Sequence, residues 1–387
     1  MVPENFRFID LFSGIGGFHQ AMVQLGGTCV FASEIDKKAV ETYKINYGID
    51  SNINIKDIKV EDIPEHDVLC AGFPCQPFSR AGKKQGFQDE TKGTLFFEIE
   101  RILKYHKTKY IILENVRAIL SNDNGNTWKT IKSHLISLGY RLTEEPIIIS
   151  PHNIGIPQLR NRVVIVGLYD PEHIEEPLEI SLPKYKNKKE NSIYDILETD
   201  EVDEKYNITP EEERLLAIWD EFFQGVKENM LGFRININWF QENPDNASSE
   251  LEKIVIQKNN KLYENNQEFI DFWLKKYNYL EEFSPTYRCL DWSGNGKLMS
   301  IWDGLIQFRP SGVRVKTPTC FPALVAMVQI PIIGKYKRRL TVREAARLQS
   351  FPDTFIPNSN DQQAYKQFGN AVNVEVIKVA AEKLFEY

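Results

Sequence analysis

Apolar and polar positions follow two periods in the first third of the chain. Short apolar runs have the length and composition of buried strands: FRFIDLF (6–12), TCVFASE (28–34), DVLCAGF (67–73) and YIILENV (110–116). Between them, apolar residues recur every three or four positions, as in TLFFEIERILKYH (94–106), which is typical of amphipathic helices. Strands that alternate with helices predict a parallel sheet covered by helices on both faces.

The last two apolar runs of this region predict a different connection. PIIIS (146–150) and RVVIVGLY (162–169) are too close in the chain for a helix to lie between them. We therefore expect an antiparallel hairpin that closes the sheet. The predicted fold class is α/β, with a Rossmann-like doubly wound sheet that ends in an antiparallel hairpin.

The regular pattern stops near residue 171. Residues 172–335 alternate poorly and carry charged, loop-rich stretches, whereas LTVREAARLQSFPD (340–353) is again helical, with Thr341 and Glu344 spaced as a capping box. We expect a first domain at 1–171, and an inserted smaller domain at 172–358 that includes a helix at 341–351. A C-terminal segment at 359–387 then rejoins the first domain.

Cysteine content and hydropathy indicate the compartment in which this fold is expected. The 387 residues include five cysteines, an odd number without a CxxC pair, and the start of the chain lacks the features of a signal peptide. No run reaches the roughly 18 apolar residues of a membrane span. We expect a soluble cytoplasmic protein without a metal site.

Charge leaves the choice of partner open. The net charge of −7 argues weakly against nucleic acid, but binding needs only a local basic patch. Basic residues crowd one stretch, which is either such a patch or an ordinary solvated face: Lys335, Lys337, Arg338, Arg339, Arg343 and Arg347. Arg309, Arg314 and Lys316 lie just upstream, as candidates for contact with phosphates or bases.

A glycine-rich turn follows the first strand. Gly14, Gly16 and Gly17 stand where doubly wound sheets bind nucleotide-like ligands, and Glu34 lies 20 positions after Gly14, where a carboxylate accepts ribose hydroxyls. His19 replaces the third glycine of the dinucleotide fingerprint, which favours an adenosyl ligand without a pyrophosphate. A turn that serves only packing is the alternative reading of these glycines.

A cysteine on a stiff loop is the candidate nucleophile. Cys75 follows the third strand, at the same edge of the sheet as the glycine turn, and Pro74 and Pro77 restrict the backbone on both sides. Cys29 and Cys70, inside apolar strands, fit small buried hydrophobic residues instead.

The remaining unusual residues complete one chemical scheme. Glu114 ends a buried strand, and Arg160 and Arg162 alternate at the start of another. A thiolate that adds to carbon 6 of cytosine makes carbon 5 nucleophilic, provided that an acid protonates ring nitrogen 3 and an arginine holds the neighbouring carbonyl oxygen. These residues predict transfer of a methyl group from S-adenosylmethionine to cytosine.

The motifs in this order resemble those of the bacterial cytosine-5 DNA methyltransferases. The similar segments are FIDLFSGIGGF, SEIDKKAVETY, GFPCQPFS, LENV, QLRNR, LTVREAARLQSFPD and KQFGNAV. The resemblance implies that Cys75 is the nucleophile, Glu114 the acid, and Arg162 a contact of the base with Arg160 nearby. It implies that SRAGKKQGFQDETKG (79–93) closes over DNA, and that the region between QLRNR and LTVREAARL reads the DNA sequence.

The resemblance extends to the expected contacts of cofactor and DNA. Cofactor contacts are expected from Phe12, Ser13, Gly14, Ile15, Gly16, Gly17, Glu34, Ile35, Asp57, Ile58, Pro74, Leu95, Asn370, Ala371 and Val372. Contacts with the DNA are expected from Gln76, Ser79, Arg80, Asn115, Arg309, Arg314 and Lys316.

Two alternatives to a DNA methyltransferase remain on the sequence alone. One is a transfer-RNA cytosine methyltransferase on the same scaffold, and the other is a non-catalytic DNA-binding protein. We expect a monomer that acts on a specific double-stranded DNA sequence, protects it from a cognate restriction endonuclease, and extrudes its target base from the duplex.

Overall fold

The structure, a computed structural model, describes residues 5–74, 95–182, 192–226, 234–294, 298–324 and 329–387. The chain divides into two compact units. Unit 1 comprises Met1–Asn191 and Ala345–Tyr387, and unit 2 comprises Ser192–Glu344. Each unit has a hydrophobic core of its own.

The first segment of unit 1 alternates strands and helices as its hydrophobic pattern predicts. The strands are β1 (Arg7–Leu11), β2 (Thr28–Ser33), β3 (Val68–Gly72), β4 (Tyr110–Val116), β5 (Tyr140–Leu142), β6 (Ile147–Ile149), β7 (Gln158–Leu159) and β8 (Arg162–Tyr169). The helices are α1 (Gly17–Gln24), α2 (Lys37–Tyr47), α3 (Leu95–His106) and α4 (Asn126–Ser137). Asp36 caps α2 by accepting from the backbone N–H groups of Lys38 and Ala39, as its position before the helix predicts.

The strands of unit 1 form the predicted doubly wound sheet. Its order is β2-β1-β3-β4-β8-β5, and β6 also pairs with β8. The β1–β2, β1–β3 and β3–β4 pairs are parallel, whereas β8 runs antiparallel to β4, β5 and β6. The fold class and the antiparallel closure are confirmed. Because β1, β2, β3 and β4 run in one direction, their carboxyl ends meet at one edge of the sheet.

Unit 2 combines a helical layer with a second sheet. Its helices are α5 (Pro210–Gly225), α6 (Glu250–Asn265) and α7 (Gln267–Lys276). Its strands are β9 (Arg234–Asn236), β10 (Cys289–Ser293), β11 (Leu305–Arg309), β12 (Gly312–Lys316), β13 (Phe321–Pro322), β14 (Ile332–Ile333) and β15 (Arg338–Arg339). Six of these strands form a sheet in the order β15-β14-β11-β12-β10-β9. Trp219, Trp273 and Trp292 are buried in the core of this unit.

The chain returns to unit 1 within helix α8 (Val342–Leu348) and continues into α9 (Asp361–Asn370) and α10 (Val374–Leu384). The capping box at Thr341 is confirmed: the Thr341 N–H donates to Glu344 Oε2 at 2.8 Å, and the Glu344 N–H donates to Thr341 Oγ1 at 3.1 Å. The helix is shorter than the predicted 341–351 and ends at Leu348, since Ser350 adopts a left-handed φ of 61°.

The units divide at other positions than the expected boundaries near residues 171 and 358. Leu178 remains on unit 1 because its N–H donates to the Leu142 carbonyl at 2.8 Å. On the return, Gln349 already belongs to unit 1, and its carbonyl accepts from the Val374 N–H at 3.0 Å. Such hydrogen bonds join residues far apart in the chain, so local patterns do not predict them.

Ion pairs neutralise most of the basic stretch at 335–347. Within unit 2, carboxylates hold three of its cations, in the pairs Lys337–Glu213, Arg338–Glu344 and Arg339–Glu212. Within unit 1, Arg347 pairs with Asp353 at 2.7 Å. The basic stretch therefore takes part in a structural network of ion pairs within each unit. In the described parts of the chain, no helix has the length and apolar character needed to cross a membrane.

Candidate active site

A cavity of about 530 Å³ opens at the carboxyl edge of the unit 1 sheet. Its walls come from the segments that follow β1 and β2, from the carboxyl ends of β3 and β4, and from the start of α3. The start of β8, helix α9 and the two residues after α9 complete them. The lining residues are Phe12, Ser13, Gly14, Ile15, Gly17, Phe18, Glu34, Ile35, Asp36, Ala39, Gly72, Phe73, Pro74, Leu95, Glu114, Asn115, Val116, Arg160, Arg162, Gln363, Lys366, Gln367, Gly369, Asn370, Ala371 and Val372. The volume lies in the range of small-molecule and cofactor pockets.

The glycine turn after β1 needs its glycines for two physical reasons. Gly14 and Gly16 have positive φ angles of 53° and 86°, which side-chain-bearing residues rarely adopt. A Cβ at Gly16 would lie 2.3 Å from the ring of Tyr47, and a Cβ at Gly17 would lie 2.6 Å from the side chain of Val372. The turn is thus compact, and its backbone forms the cavity wall.

Glu34 bridges the turn to the end of β2. Its Oε2 accepts from the Gly14 N–H at 2.9 Å, and its Oε1 accepts from the N–H groups of Ile35 at 2.7 Å and Asp36 at 2.8 Å. Three backbone donors therefore fix the carboxylate at the cavity wall. Each carboxylate oxygen has more than one lone-pair direction, so acceptor capacity remains for hydroxyl groups of a ligand.

A cluster of charged residues forms another wall of the cavity. Arg162 Nε lies 2.9 Å from Glu114 Oε1, and both side chains are largely buried. Burial raises the pKa of Glu114, while the positive charges of Arg162 and Arg160 oppose that rise. A carboxyl group with a raised pKa keeps its proton at higher pH and can act as an acid.

Arg160 fixes the loop after α9. Its Nη2 donates to the Ala371 carbonyl at 2.8 Å, and its Nε is buried without a hydrogen-bond partner among the described residues. Burial, followed by the charge of Arg162, lowers the pKa of Arg160 to about 9. Asn115 holds the end of β3, because its Nδ2 donates to the Phe73 carbonyl at 2.8 Å. Arg160 and Asn115 therefore fix two backbone segments of the cavity wall, at Ala371 and at Phe73.

Beneath the glycine turn lies a buried cluster of polar and aromatic side chains. The Tyr47 hydroxyl donates to the carbonyls of Ile15 at 3.3 Å and Gly16 at 3.1 Å, and its ring stacks on His19 with centroids 3.8 Å apart. His19 Nδ1 lies 2.7 Å from the Tyr43 hydroxyl, and burial lowers the pKa of His19 to about 4. His19, which replaces the third glycine of the dinucleotide fingerprint, thus has a structural role. Its ring packs on Tyr47, and Tyr47 holds the glycine turn through two hydrogen bonds.

Most of the residues expected at the cofactor and the base lie on this cavity. Asp57 and Ile58 are not in its wall; Asp57 is exposed, and its Oδ2 accepts from Asn54 Nδ2 at 2.9 Å. Gly16 also stands back from the wall, since it packs against Tyr47. Arg309, Arg314 and Lys316 lie in unit 2. Cys75, Gln76, Ser79 and Arg80 lie outside the described residues, and Pro74, directly before them, lines the cavity.

Two other cysteines, Cys29 and Cys70, differ from a nucleophile in their surroundings. Cys70 is fully buried in β3, and burial raises the pKa of its thiol well above the ordinary value. Burial, together with the charge of Asp10, raises the pKa of Cys29 to about 12. Both thiols stay protonated at neutral pH. Cys70 is the small buried residue that the sequence predicts, whereas Cys29 is half-buried.

Sequence reasoning missed several cavity residues. Gln363, Lys366 and Gln367 approach the cavity from α9, and Gln367 Nε2 donates to the Lys38 carbonyl at 3.0 Å. Their spacing of three and four positions, directly before the GNAV motif, is a helical-face signal that predicts such a placement. Phe18 and Phe73 also line the cavity; both lie within motifs quoted above, although no contact was assigned to them from the sequence.

Comparisons with known proteins agree with this arrangement. The family pattern of the C-5 cytosine-specific DNA methylases matches residues 6–386. The Type II methyltransferase M.HaeII of Haemophilus aegyptius is 44% identical over 385 residues, which cover 98% of this chain and 92% of that protein. The Type II methyltransferase M.HpaII of Haemophilus parainfluenzae is 35% identical over 389 residues, which cover 99% of this chain and 90% of that protein.

Solved structures share the fold at lower sequence similarity. A DNMT2 mutant of Spodoptera frugiperda superposes with a TM-score of 0.56 at 18% identity, over 98% of this chain and 100% of that one. The match to the family pattern spans nearly the whole chain, and full-length relatives exceed 30% identity. The chain therefore belongs to the C-5 cytosine-specific DNA methylases, and it is an enzyme that uses S-adenosylmethionine to methylate carbon 5 of cytosine in DNA.

Proposed function

We propose that Cys75 is the nucleophile of this reaction and that the unit 1 cavity binds the cofactor beside it. The observation that carries this proposal is that the Glu114–Arg162 pair shares one cavity with the glycine turn and Glu34. Pro74, which precedes Cys75 in the chain, lines the same cavity. An acid, a cation and a site for an adenosyl ligand thus share one cavity with the residue that precedes Cys75 in the chain.

The reaction proceeds through a covalent bond between Cys75 and the base. The Cys75 thiolate forms a bond to carbon 6 of cytosine, the 5,6 double bond is lost, and Glu114 gives its proton to ring nitrogen 3. Carbon 5 then forms a bond to the methyl group as the bond from that methyl to the sulfonium sulfur breaks. Finally a water molecule takes the proton from carbon 5, the 5,6 double bond forms again and the bond from Cys75 to carbon 6 breaks. Nitrogen 3 returns its proton to Glu114, which restores the thiolate, the acid and the aromatic ring.

Glu114 and Arg162 divide the recognition of the base. Burial favours the protonated form of Glu114, which is the form that donates to nitrogen 3. When cytosine binds, Arg162 shifts one of its hydrogen bonds from Glu114 to the carbonyl oxygen of the base. Arg160 holds the Ala371 loop and keeps a second positive charge near the ring. Because Arg160 and Arg162 favour the anionic form of Glu114, they limit how far its pKa rises.

The volume of the cavity and the polar groups in its wall support S-adenosylmethionine as its ligand. The cofactor supplies an electrophilic methyl group when it is bound. We propose that Glu34 accepts the ribose hydroxyls, and that Phe12, Ile35 and Leu95 contact the adenosyl rings. The backbone of the glycine turn and of Asn370–Val372 holds the remainder. Asp57 and Ile58 remain predicted contacts of the adenine.

The DNA-facing part of the proposal concerns the residues after Cys75 and all of unit 2. Gln76, Ser79 and Arg80 are proposed contacts of the extruded cytosine and its phosphates, together with Asn115. The loop at 79–93 is proposed to close over the site and exclude water. Unit 2 is the proposed target-recognition domain. A duplex must release the base, because carbon 6 is stacked inside the helix.

The biological setting follows from the relatives. Those named above are Type II methyltransferases, and we propose that this chain also modifies a specific duplex sequence and protects it from a cognate endonuclease. A monomer suffices for this task, because one chain carries both units. A bacterial enzyme of this kind works in the cytoplasm, where its DNA lies.

A trapping experiment tests the nucleophile. The purified chain is incubated with labelled cofactor and a duplex that contains 5-fluorocytosine at the target position. The fluorine cannot leave as the proton does, so we expect a stable covalent complex on a denaturing gel, absent for Cys75→Ala. Transfer of label to ordinary DNA by Cys75→Ala would overturn the proposal.

Bisulfite sequencing of DNA from a host that expresses the chain identifies the methylated sequence. Plasmid from the same host should resist endonucleases that cut at that sequence. Parallel incubation with transfer RNA separates the alternative substrate, and we expect no label there.

A further inference from the structure

One face of the unit 2 sheet carries a row of polar side chains across four strands. In the strand register, Asp291 of β10 pairs with Arg234 of β9 and with Arg314 of β12, and Arg314 pairs with Gln307 of β11. Side chains at paired positions point to the same face of a sheet. The row therefore belongs to one surface.

The opposite face of the same strands is the core of unit 2. Ile235, Leu290 and Val313 alternate with the polar row and are fully buried in that core. The face with Asp291 and Arg314 keeps part of its surface accessible, at 33% and 27% of the two side chains. A register shift of one residue would exchange the two faces, so the buried core fixes which side chains are presented.

Positive charge dominates this polar face. It carries Arg234, Arg309, Arg314 and Lys316, with Asp291 as the acidic residue among the paired strand positions. The chain as a whole has a net charge of −7, so this is a local reversal of sign. A local basic surface on an acidic protein matches a polyanion in charge.

Asp291 connects two of these cations. Its Oδ2 lies 3.3 Å from Arg314 Nε and 3.9 Å from Arg309 Nη1. One carboxylate thus forms ion pairs with two guanidinium groups that come from neighbouring strands, and its negative charge attracts both toward the same place on the face. A guanidinium carries paired donors in a planar fork, which is the geometry that reads the O6 and N7 acceptors of guanine.

We propose that this polar face, made by Arg234, Asp291, Gln307, Arg309, Arg314 and Lys316, receives duplex DNA and that Asp291 orients Arg309 and Arg314 toward base edges. The inference rests on the proposed role of unit 2 in target recognition. The side chains of this face contribute to DNA binding in two ways. Lys316 and Arg234 attract phosphates of any sequence, whereas the pair of arginines discriminates between sequences.

The first test replaces an arginine that is proposed to read bases and a lysine that is proposed to bind phosphates. Fluorescence anisotropy is recorded at several salt concentrations with a duplex that contains the sequence found by bisulfite sequencing, and with a scrambled duplex of equal length. We expect Arg314→Gln to reduce the preference for the target duplex about 5- to 150-fold. Lys316→Gln should weaken binding to both duplexes equally and reduce the salt slope by about one.

Two further variants separate orientation from charge. Arg314→Lys keeps the charge and loses the paired donors, so binding to the scrambled duplex should persist while the preference for the target falls. Asp291→Asn removes a negative charge, so affinity for the scrambled duplex should hold or rise while the preference falls. An equal gain for both duplexes would overturn the orienting role of Asp291.

A matched ion pair elsewhere in unit 2 provides the controls. Arg214 and Glu282 form an exposed pair at 2.7 Å on the surface of unit 2, outside the polar face. Arg214→Gln and Glu282→Gln should leave affinity, preference and salt slope at the wild-type values. Equal losses in these controls and in the polar-face variants would show a general charge effect and overturn the proposal.

Failure of this inference differs from failure of the proposed function. A wild-type chain that methylates a specific sequence, together with polar-face variants that bind and discriminate normally, would remove only the inference. Tighter binding of transfer RNA than of the target duplex by the wild-type chain would overturn the DNA-binding role of the face.

Discussion

The two units of this chain present their functional residues in different ways. In unit 1, Glu34 and Glu114 lie near the carboxyl ends of β2 and β4, two parallel strands of one sheet, next to the turns that carry their motifs. In unit 2, Asp291 and Arg314 lie in the middle of strands whose sequences carry no recognisable motif. Both sets are assembled by a sheet, but at its edge in one unit and on its face in the other.

The difference teaches where sequence motifs arise. At the edge of a parallel sheet, each side chain must meet the same cofactor, and short turns impose strict backbone requirements such as those of Gly14 and Gly16. On a sheet face, the buried alternate positions preserve the fold while the presented ones are free to change. Chemistry therefore leaves motifs, and recognition leaves only an alternation of apolar and polar residues.

The largest expected effect lies at the reacting atom. Cys75→Ala should reduce methyl transfer about 10⁴- to 10⁶-fold, the scale on which deletion of a covalent nucleophile acts. Cofactor affinity should stay unchanged, because the proposed contacts of the adenosyl group lie at the glycine turn and Glu34. Single-turnover transfer of label and equilibrium binding of labelled cofactor measure the two quantities. Joint loss of both would contradict the separation of nucleophile and cofactor site.

Glu114→Gln should slow transfer roughly 10²- to 10⁴-fold, the range of acid–base catalysis. Burial raises the pKa of Glu114, and only its protonated form donates to the base, so the wild-type rate should fall as pH rises through that pKa. The variant should lose this alkaline limb, while its preference for the target duplex should match that of the wild type. A near-normal rate, or an unchanged alkaline limb, would remove Glu114 from the mechanism.

A smaller effect concerns the stability of unit 1 as pH falls. The pKa of His19 is about 4 in the folded chain, against about 6.5 when unfolded. Between these values the unfolded chain binds a proton that the folded chain does not, so stability should fall by roughly 3 kcal/mol from pH 6.5 to pH 4. Urea unfolding of the wild type and of His19→Gln should show a shallower pH dependence for the variant. Parallel curves would show that His19 titrates normally in the fold.

The smallest effect should appear at Tyr47. Tyr47→Phe removes the hydroxyl that donates to the carbonyls of Ile15 and Gly16, so cofactor affinity should fall about 2- to 10-fold. The rate at saturating cofactor should remain normal, because the ring still supports Gly16. Tyr105→Phe, at an exposed tyrosine of α3, is the matched control. An equal change in both variants would rule out a positioning role for Tyr47.

For unit 1, the sequence predicted much of the fold and part of the site. The apolar runs predicted β1 to β4, Asp36 predicted the start of α2, and the spacing from Gly14 to Glu34 predicted that both would lie on one cavity. Each of these predictions depends on local sequence or on the common direction of parallel strands. Both properties can be recognised from the order of residues.

The tertiary structure decided what local sequence does not contain. It put Arg160 on the Ala371 carbonyl, 211 positions away, and it set the ends of both units through hydrogen bonds such as Leu178 to Leu142. It also joined Asp291 to Arg309 and Arg314, because register between distant strands depends on the packing of the buried face. The sequence by itself determined the chemistry of this protein, since reacting groups need particular residue types at particular turns. Packing determined which surface could read DNA, because a sheet face exists only after strands from distant segments have paired.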